Sequence, residues 1–137
     1  MAKKNLGRCA CNAVQFGFDT TPEFIATCHC LDCKRASGGE AATFFGVPNS
    51  DFTLLSGTPK GFGYIANSGK RLERVFCPEC GSRLYTRNLE GFPGLTFVQI
   101  GSLDNPAGIE PVLEMFIKRR LDWAKPLALP QFENMPA

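Results

Sequence analysis

Leu72-Glu73-Arg74-Val75-Phe76-Cys77-Pro78-Glu79-Cys80-Gly81-Ser82-Arg83-Leu84-Tyr85-Thr86 is the stretch on which the fold turns. Leu72 to Phe76 reads as a strand leading into a C-x-x-C pair, and Arg83 to Thr86 as a strand leading out of it. Pro78 presets the turn after the first cysteine, and Gly81 permits positive φ after the second. That turn aims backbone N–H groups at the sulfurs and so stabilises thiolate charge. It is a zinc knuckle, and it supplies two of the four tetrahedral ligands that zinc takes at about 2.3 Å from sulfur. The other two must come from elsewhere in the chain.

Outward from the knuckle, turn residues punctuate the chain in the short rhythm of a mostly β protein. Val14, Phe16 and Phe18 alternate with Gln15 and Gly17, as in a strand with one buried face. Further strands are expected at Thr43 to Val47, Phe52 to Leu55, Phe62 to Ile65, Leu95 to Ile100 and Val112 to Ile117. Leu31 to Ser37 is the helical stretch, and Gly38-Gly39 is its stop. The tail from Pro126 carries three prolines and is expected along the surface. With 137 residues, 44% of them hydrophobic, and neither repeat nor linker, residues 1–137 read as a single domain.

Charge and hydropathy narrow the function classes. A net charge of +2, with Lys118, Arg119 and Arg120 as the one basic run, argues against nucleic acid. No stretch approaches the roughly 20 apolar residues of a membrane span. The start, Met1-Ala2-Lys3-Lys4, meets Asn5, Gly7 and Arg8 where a secretory signal would have an apolar run, so a cytoplasmic location is expected. There thiols stay reduced, and seven cysteines is in any case an odd number for a disulfide framework.

The cysteines are therefore read as metal ligands. Cys9 and Cys11 form C-x-C, Cys28, Cys30 and Cys33 form C-x-C-x-x-C, and Cys77 and Cys80 form the knuckle. Pairing Cys9 and Cys11 with Cys77 and Cys80 gives a closed four-thiolate site, which is the structural type. Cys28, Cys30 and Cys33 then hold a second metal with an open fourth position, which is the catalytic type. His29 lies between two ligands, so its ring is expected to point away from their metal, and Asp32 is read as an outer group. Spacing alone also admits Cys9 or Cys11 joining the middle group, and three close cysteines also suit part of an iron–sulfur cluster.

Gly7-Arg8-Cys9-Ala10-Cys11, Cys28-His29-Cys30-Leu31-Asp32-Cys33-Lys34-Arg35-Ala36-Ser37-Gly38 and Phe76-Cys77-Pro78-Glu79-Cys80-Gly81-Ser82 together resemble the glutathione-dependent formaldehyde-activating (GFA) family, which includes the centromere protein V domain. Gly101-Ser102-Leu103-Asp104-Asn105-Pro106 and Trp123 extend the resemblance over nearly the whole chain. It implies a Mss4-like (β-tent) fold of antiparallel sheets with one or two short helices. It also implies two Zn2+ per chain, structural at Cys9, Cys11, Cys77 and Cys80 and catalytic at Cys28, Cys30 and Cys33. Many relatives carry a histidine after the late proline, where Pro111-Val112-Leu113-Glu114 stands here, which puts the substrate in question.

The expected activity is that of a zinc-dependent carbon–sulfur lyase or thiol–aldehyde adduct synthase, resembling S-(hydroxymethyl)glutathione synthase. Three thiolates leave zinc with a formal charge of −1, a poor Lewis acid but a good holder of a fourth, nucleophilic thiolate. Lys34 and Arg35 are candidates to meet the carboxylates of a thiol such as glutathione, and Ser37 with Gly38 and Gly39 to offer donors to an anion. Tyr64 and Tyr85 are candidate proton donors or core rings, and Trp123 is read as a packing residue. A non-catalytic zinc scaffold and a thiol-reactive sensor are the competing readings, and the sequence leaves a homo-oligomer open.

Overall fold

The computed structural model describes residues 3–136, and in these the chain forms two sheets. Strands β1 (Asn5–Arg8), β2 (Gln15–Phe18) and β5 (Thr53–Ser56) make a three-stranded antiparallel sheet in the order β1-β2-β5. The larger sheet has seven strands: β3 (Ile25–Cys28), β4 (Ala42–Pro48), β6 (Lys60–Ile65), β7 (Arg71–Phe76), β8 (Arg83–Arg87), β9 (Leu95–Gln99) and β10 (Leu113–Met115). Their order is β10-β3-β4-β9-β8-β7-β6, antiparallel except for the parallel pair β10–β3. One helix, α1 (Leu31–Ser37), and two 3-10 turns, Ile100–Ser102 and Ile117–Arg119, complete the elements.

The main core joins the two sheets. Phe16 and Phe18 from β2 meet Phe45 and Val47 from β4, Val75 from β7, Leu84 and Tyr85 from β8 and Val98 from β9. The rings interlock edge-on and offset, with Phe18–Phe45 centroids 5.7 Å apart and Phe16–Tyr85 5.6 Å apart. Burial of such large side chains contributes about 1.5–3 kcal/mol each. On the opposite face of the large sheet a smaller core gathers Ala26, Cys28, Cys33, Ala42, Phe44, Leu113 and Met115, with Phe97, Phe116 and Phe132 against it.

Helix α1 spans the expected Leu31–Ser37, and Gly38 ends it in the left-handed conformation at φ 75°. Strands β1 and β3 were not expected from the sequence. Every residue of β3 is buried, because it lies inside the sheet with cores on both faces, and so its sequence does not alternate. The last strand is shorter than Val112 to Ile117, because Phe116 turns to φ 54° and the chain enters a 3-10 turn. The tail does run along the surface, but it is also tied to β10. Glu114 N–H donates to Pro130 C=O, Phe132 N–H to Glu114 C=O, and Ile117 N–H to Phe132 C=O. Trp123 is not a packing residue: it is 67% exposed, in an irregular stretch with no core opposite it.

Candidate metal centres and the face that joins them

Each cysteine group is positioned by a turn at a strand end. Cys9 follows β1, and Asn12 at φ 70° bends the chain back so that Cys9 N–H reaches Val14 C=O at 3.1 Å. Between β7 and β8, Gly81 at φ 76° closes the matching turn, with its N–H on Cys77 C=O at 2.8 Å. Ser82 stitches the two turns together: Ala10 N–H donates to its Oγ at 2.9 Å. The result brings the sulfurs of Cys9, Cys11, Cys77 and Cys80 within 4.8 Å of one another.

That spacing suits a tetrahedral ion. Four sulfurs at about 2.3 Å from a common centre are separated by about 3.8 Å. Cys9–Cys11 measures 3.6 Å and Cys11–Cys77 3.7 Å. The surrounding donors already favour thiolate. Val14 N–H donates to Cys9 Sγ at 3.2 Å, and hydrogen bonds from Ser82 hold the Cys80 thiol down at about 5. The donor set is all sulfur, which excludes a hard cation such as calcium or magnesium and suits zinc.

The second group is built from consecutive elements. Cys28 ends β3, Cys30 is the N-cap of α1 with Cys33 N–H on its Sγ at 3.3 Å, and Cys33 lies in the first helical turn. Their sulfurs also lie within 4.8 Å of one another, and the chain brings no fourth His, Cys or carboxylate to that group among the described residues. Hydrogen bonds from the Cys28 and then the Cys33 thiol pull Cys30 down to about 2, and sharing with Cys30 pushes Cys28 up.

His29 points away from this cluster, as expected from its place between Cys28 and Cys30. Its Nε2–H donates to Glu114 Oε1 at 2.8 Å, and both side chains are almost fully buried. Glu114 Oε2 accepts from Arg120 Nη2 at 3.1 Å, Leu127 N–H at 2.9 Å and Gln131 Nε2 at 2.9 Å. Burial opposes the charge, but these donors, led by His29, hold the Glu114 carboxyl down at about 2. Glu114 therefore fastens the C-terminal tail and the ring between Cys28 and Cys30 to β10. No spacing in the sequence signals this network, because its members run from His29 to Gln131.

The remaining expected residues are scattered. Lys34 Nζ donates to Arg119 C=O, and Arg35 is exposed on the helix. Ser37 donates to Ala41 C=O at 2.9 Å and receives Gly39 N–H at 3.1 Å. Asp32 is half-buried in the first turn of α1. Tyr85 is a core ring between Phe16 and Phe52. Tyr64 instead lies under Arg74, whose guanidinium carbon is 5.1 Å from the ring centroid.

Two arginines that sequence reading passed over belong to the same face as the three-cysteine cluster. Arg74 pairs with Thr86 across β7–β8, and Thr86 pairs with Phe97 across β8–β9. Paired residues share a face, and Phe97 stacks on Phe44 at 5.1 Å within the core that contains Cys28 and Cys33. Arg83 reaches Thr86 Oγ1 from the same side, with Nη2 at 2.6 Å. A cavity of about 770 Å³ opens beside this face, lined among others by Arg83, Ser37, Gln99, Ser82 and Ala42. Ala42 is the β4 partner of Cys28.

Two all-cysteine clusters, one complete and one short of a ligand, define a β-sheet protein able to hold metal at two centres. Residues 4–119 match the family described as glutathione-dependent formaldehyde-activating enzyme, and the chain belongs to that family. A solved structure, a crystal structure of a Rhodobacter sphaeroides protein from a structural genomics programme, is similar at a TM-score of 0.56 and 19% identity, covering 93% of this chain and 98% of the other. At that identity the likeness concerns the fold. No curated protein matches the chain. No helix among the described residues is long and apolar enough to cross a membrane.

Proposed function

We propose that the chain is a zinc-dependent enzyme that makes or breaks a carbon–sulfur bond, acting as a single domain on a small thiol such as glutathione and an aldehyde such as formaldehyde. The observation that carries this reading is the incomplete donor set at Cys28, Cys30 and Cys33, with the adjacent imidazole of His29 committed to Glu114. A closed scaffold site has no use for a vacancy among its donors, whereas a working site requires one. Cys9, Cys11, Cys77 and Cys80 would hold the second, structural ion. Family membership supports the thiol and the aldehyde as reactants.

Zinc at the three-cysteine centre would hold an incoming thiol as a thiolate that keeps its nucleophilicity. The chain's own residues then have a limited task. Phe44 and Phe97 provide an apolar floor beside the centre, and Tyr64 presents a hydroxyl to which the Arg74 guanidinium donates. In the joining direction one carbon–sulfur bond forms, the carbonyl π bond opens, and the proton lost by sulfur ends on the new hydroxyl oxygen. Release from the hemithioacetal is the reverse. Lys34, Arg35 and Ser37 remain candidates for contacts to the outer parts of the thiol.

The test is metal content per chain on reduced protein, followed by chelator challenge with and without glutathione. Two zincs per chain, one of them protected by glutathione, together with glutathione-dependent consumption of formaldehyde, is the expected result. One tightly held zinc indifferent to glutathione would refute the proposal.

A further inference from the structure

We propose that Arg74 and Arg83 form the carboxylate subsite of this enzyme, so that its thiol substrate is anionic and lies across Phe44 and Phe97 with sulfur at the three-cysteine centre. The inference rests on the thiol reading above and adds what selects the thiol. It begins from charge. Among the described residues, ion pairs occupy Arg8, Arg87 and Arg120, but none involves Arg74 or Arg83. Both are half-buried. Two half-buried guanidiniums on neighbouring strands, with no carboxylate paired to either, leave their remaining N–H groups for an anionic ligand.

Their hydrogen bonds show where it would sit. Arg83 Nη1 donates to Tyr85 C=O at 2.6 Å and to Val75 C=O at 3.3 Å, and Nη2 donates to Thr86 Oγ1. This clamps one end of the fork to the β7–β8 ladder. The Nε–H is buried without a partner, and Nη2 has a second N–H. Those two form the side-on edge that matches a carboxylate bidentately. Arg74 is fixed by the Tyr64 ring and hydroxyl, and likewise spends only part of its fork.

The alternatives along α1 are weaker. Lys34 is occupied by the Arg119 carbonyl, and Arg35 is exposed, where a single ion pair contributes at most about 1 kcal/mol. The nearest competitors for the arginines are also accounted for. Glu73 is held by Arg87 at 2.9 Å and Asn88 at 2.7 Å, Asp104 lies with Arg8, and among the described residues Asp32 forms no ion pair with either arginine.

The test uses zinc-loaded protein and S-methylglutathione, which keeps both carboxylates but has no free thiol, alongside its dimethyl ester. Calorimetric titration of the wild type should show binding of the acid and weak binding of the ester. Arg83→Gln and Arg74→Gln should each weaken the acid by about ten- to a hundredfold, as loss of a charged hydrogen-bonding partner does. Neither should weaken the ester further, and Lys118→Gln, an exposed charge elsewhere, should match the wild type. Arg83→Lys serves if the glutamine variant does not fold, and should also lose affinity because an ammonium lacks the side-on edge. Equal binding of acid and ester, unchanged binding in the variants, or a loss confined to Arg35→Gln would each overturn the subsite. The two proposals separate cleanly. Glutathione protection of zinc that persists in the arginine variants sinks the subsite alone, whereas arginine-dependent binding of the S-methyl compound without such protection sinks the thiol chemistry alone.

Discussion

Replacing Glu114 by Gln changes one buried atom and should cost about 3 kcal/mol of stability. The figure follows from the donors around it. Four N–H groups converge on the two carboxylate oxygens, from His29, Arg120, Leu127 and Gln131. An amide has one acceptor oxygen. In one orientation its NH2 faces the His29 donor, and in the other it faces the remaining three. Arg120 is also left without its counter-charge in a site where the carboxylate is 3% exposed. Breaking a buried pair from one side costs about 3–5 kcal/mol. Linkage gives a similar size: the fall of the carboxyl from its ordinary 4.5 to about 2, at about 1.4 kcal/mol per pH unit, is about 3 kcal/mol. Because the folded-state value is depressed, this contribution is complete above about pH 4.5 and is lost as pH falls towards 2. Cysteines holding metal as proposed would take up protons and release it as the pH falls, so the comparison belongs at pH 7.5. Urea unfolding of metal-loaded wild type and Glu114→Gln, followed by far-ultraviolet circular dichroism, measures it directly. A loss under about 1 kcal/mol with unchanged denaturant slope would refute the account of Glu114 as the fastener of the tail. Glu114→Met combined with Arg120→Met should recover part of the loss, since replacing both partners leaves no stranded charge.

Cys30→Ser should remove one metal per chain while the two-sheet core stays folded, whereas Cys77→Ser should lower the unfolding midpoint sharply; metal analysis and thermal melts distinguish the two. Gly81→Ala should cost about 1–2 kcal/mol, all of it backbone strain, because a Cβ there meets nothing within 4 Å but φ is 76°; equilibrium unfolding would reveal a smaller effect if the turn can relax. Asp51 gathers the N–H groups of Asp19 and Thr20 and the Thr20 hydroxyl, and the hydroxyl foremost holds its carboxyl down at about 2. Asp51→Asn should therefore destabilise the protein at neutral pH by about 1 kcal/mol, with the difference from wild type vanishing as pH falls from 3.8 to about 2 in unfolding curves.

Local rules carried the sequence reading a long way. A helix bounded by a glycine stop at Gly38 and a knuckle marked by Pro78 and Gly81 depend on neighbours a few residues apart, and both lie where the chain pattern places them. The alternating apolar residues of β2 are equally local. Ile25-Ala26-Thr27-Cys28 escaped because a strand covered on both faces has no polar side to alternate with. Glu114 and the arginine pair escaped for another reason. Their meaning comes from partners on other strands, and a single chain read in order contains no register. Trp123 shows the reverse error: large apolar size suggests burial, yet no second surface comes to meet it.

The two cysteine clusters also differ in how far along the chain they reach. Cys28, Cys30 and Cys33 fall within six consecutive residues, while Cys11 and Cys77 are separated by 66 positions. An unfolded chain can therefore grip an ion at the short cluster, but the long one exists only once the two turns have met. By mass action, an ion bound equally by both states drops out of the folding equilibrium, whereas one bound by the native state alone adds about 2.7 kcal/mol at a hundredfold excess over its dissociation constant. If both clusters take metal as proposed, its supply would govern whether the protein is folded through the long cluster, and would govern only occupancy through the short one.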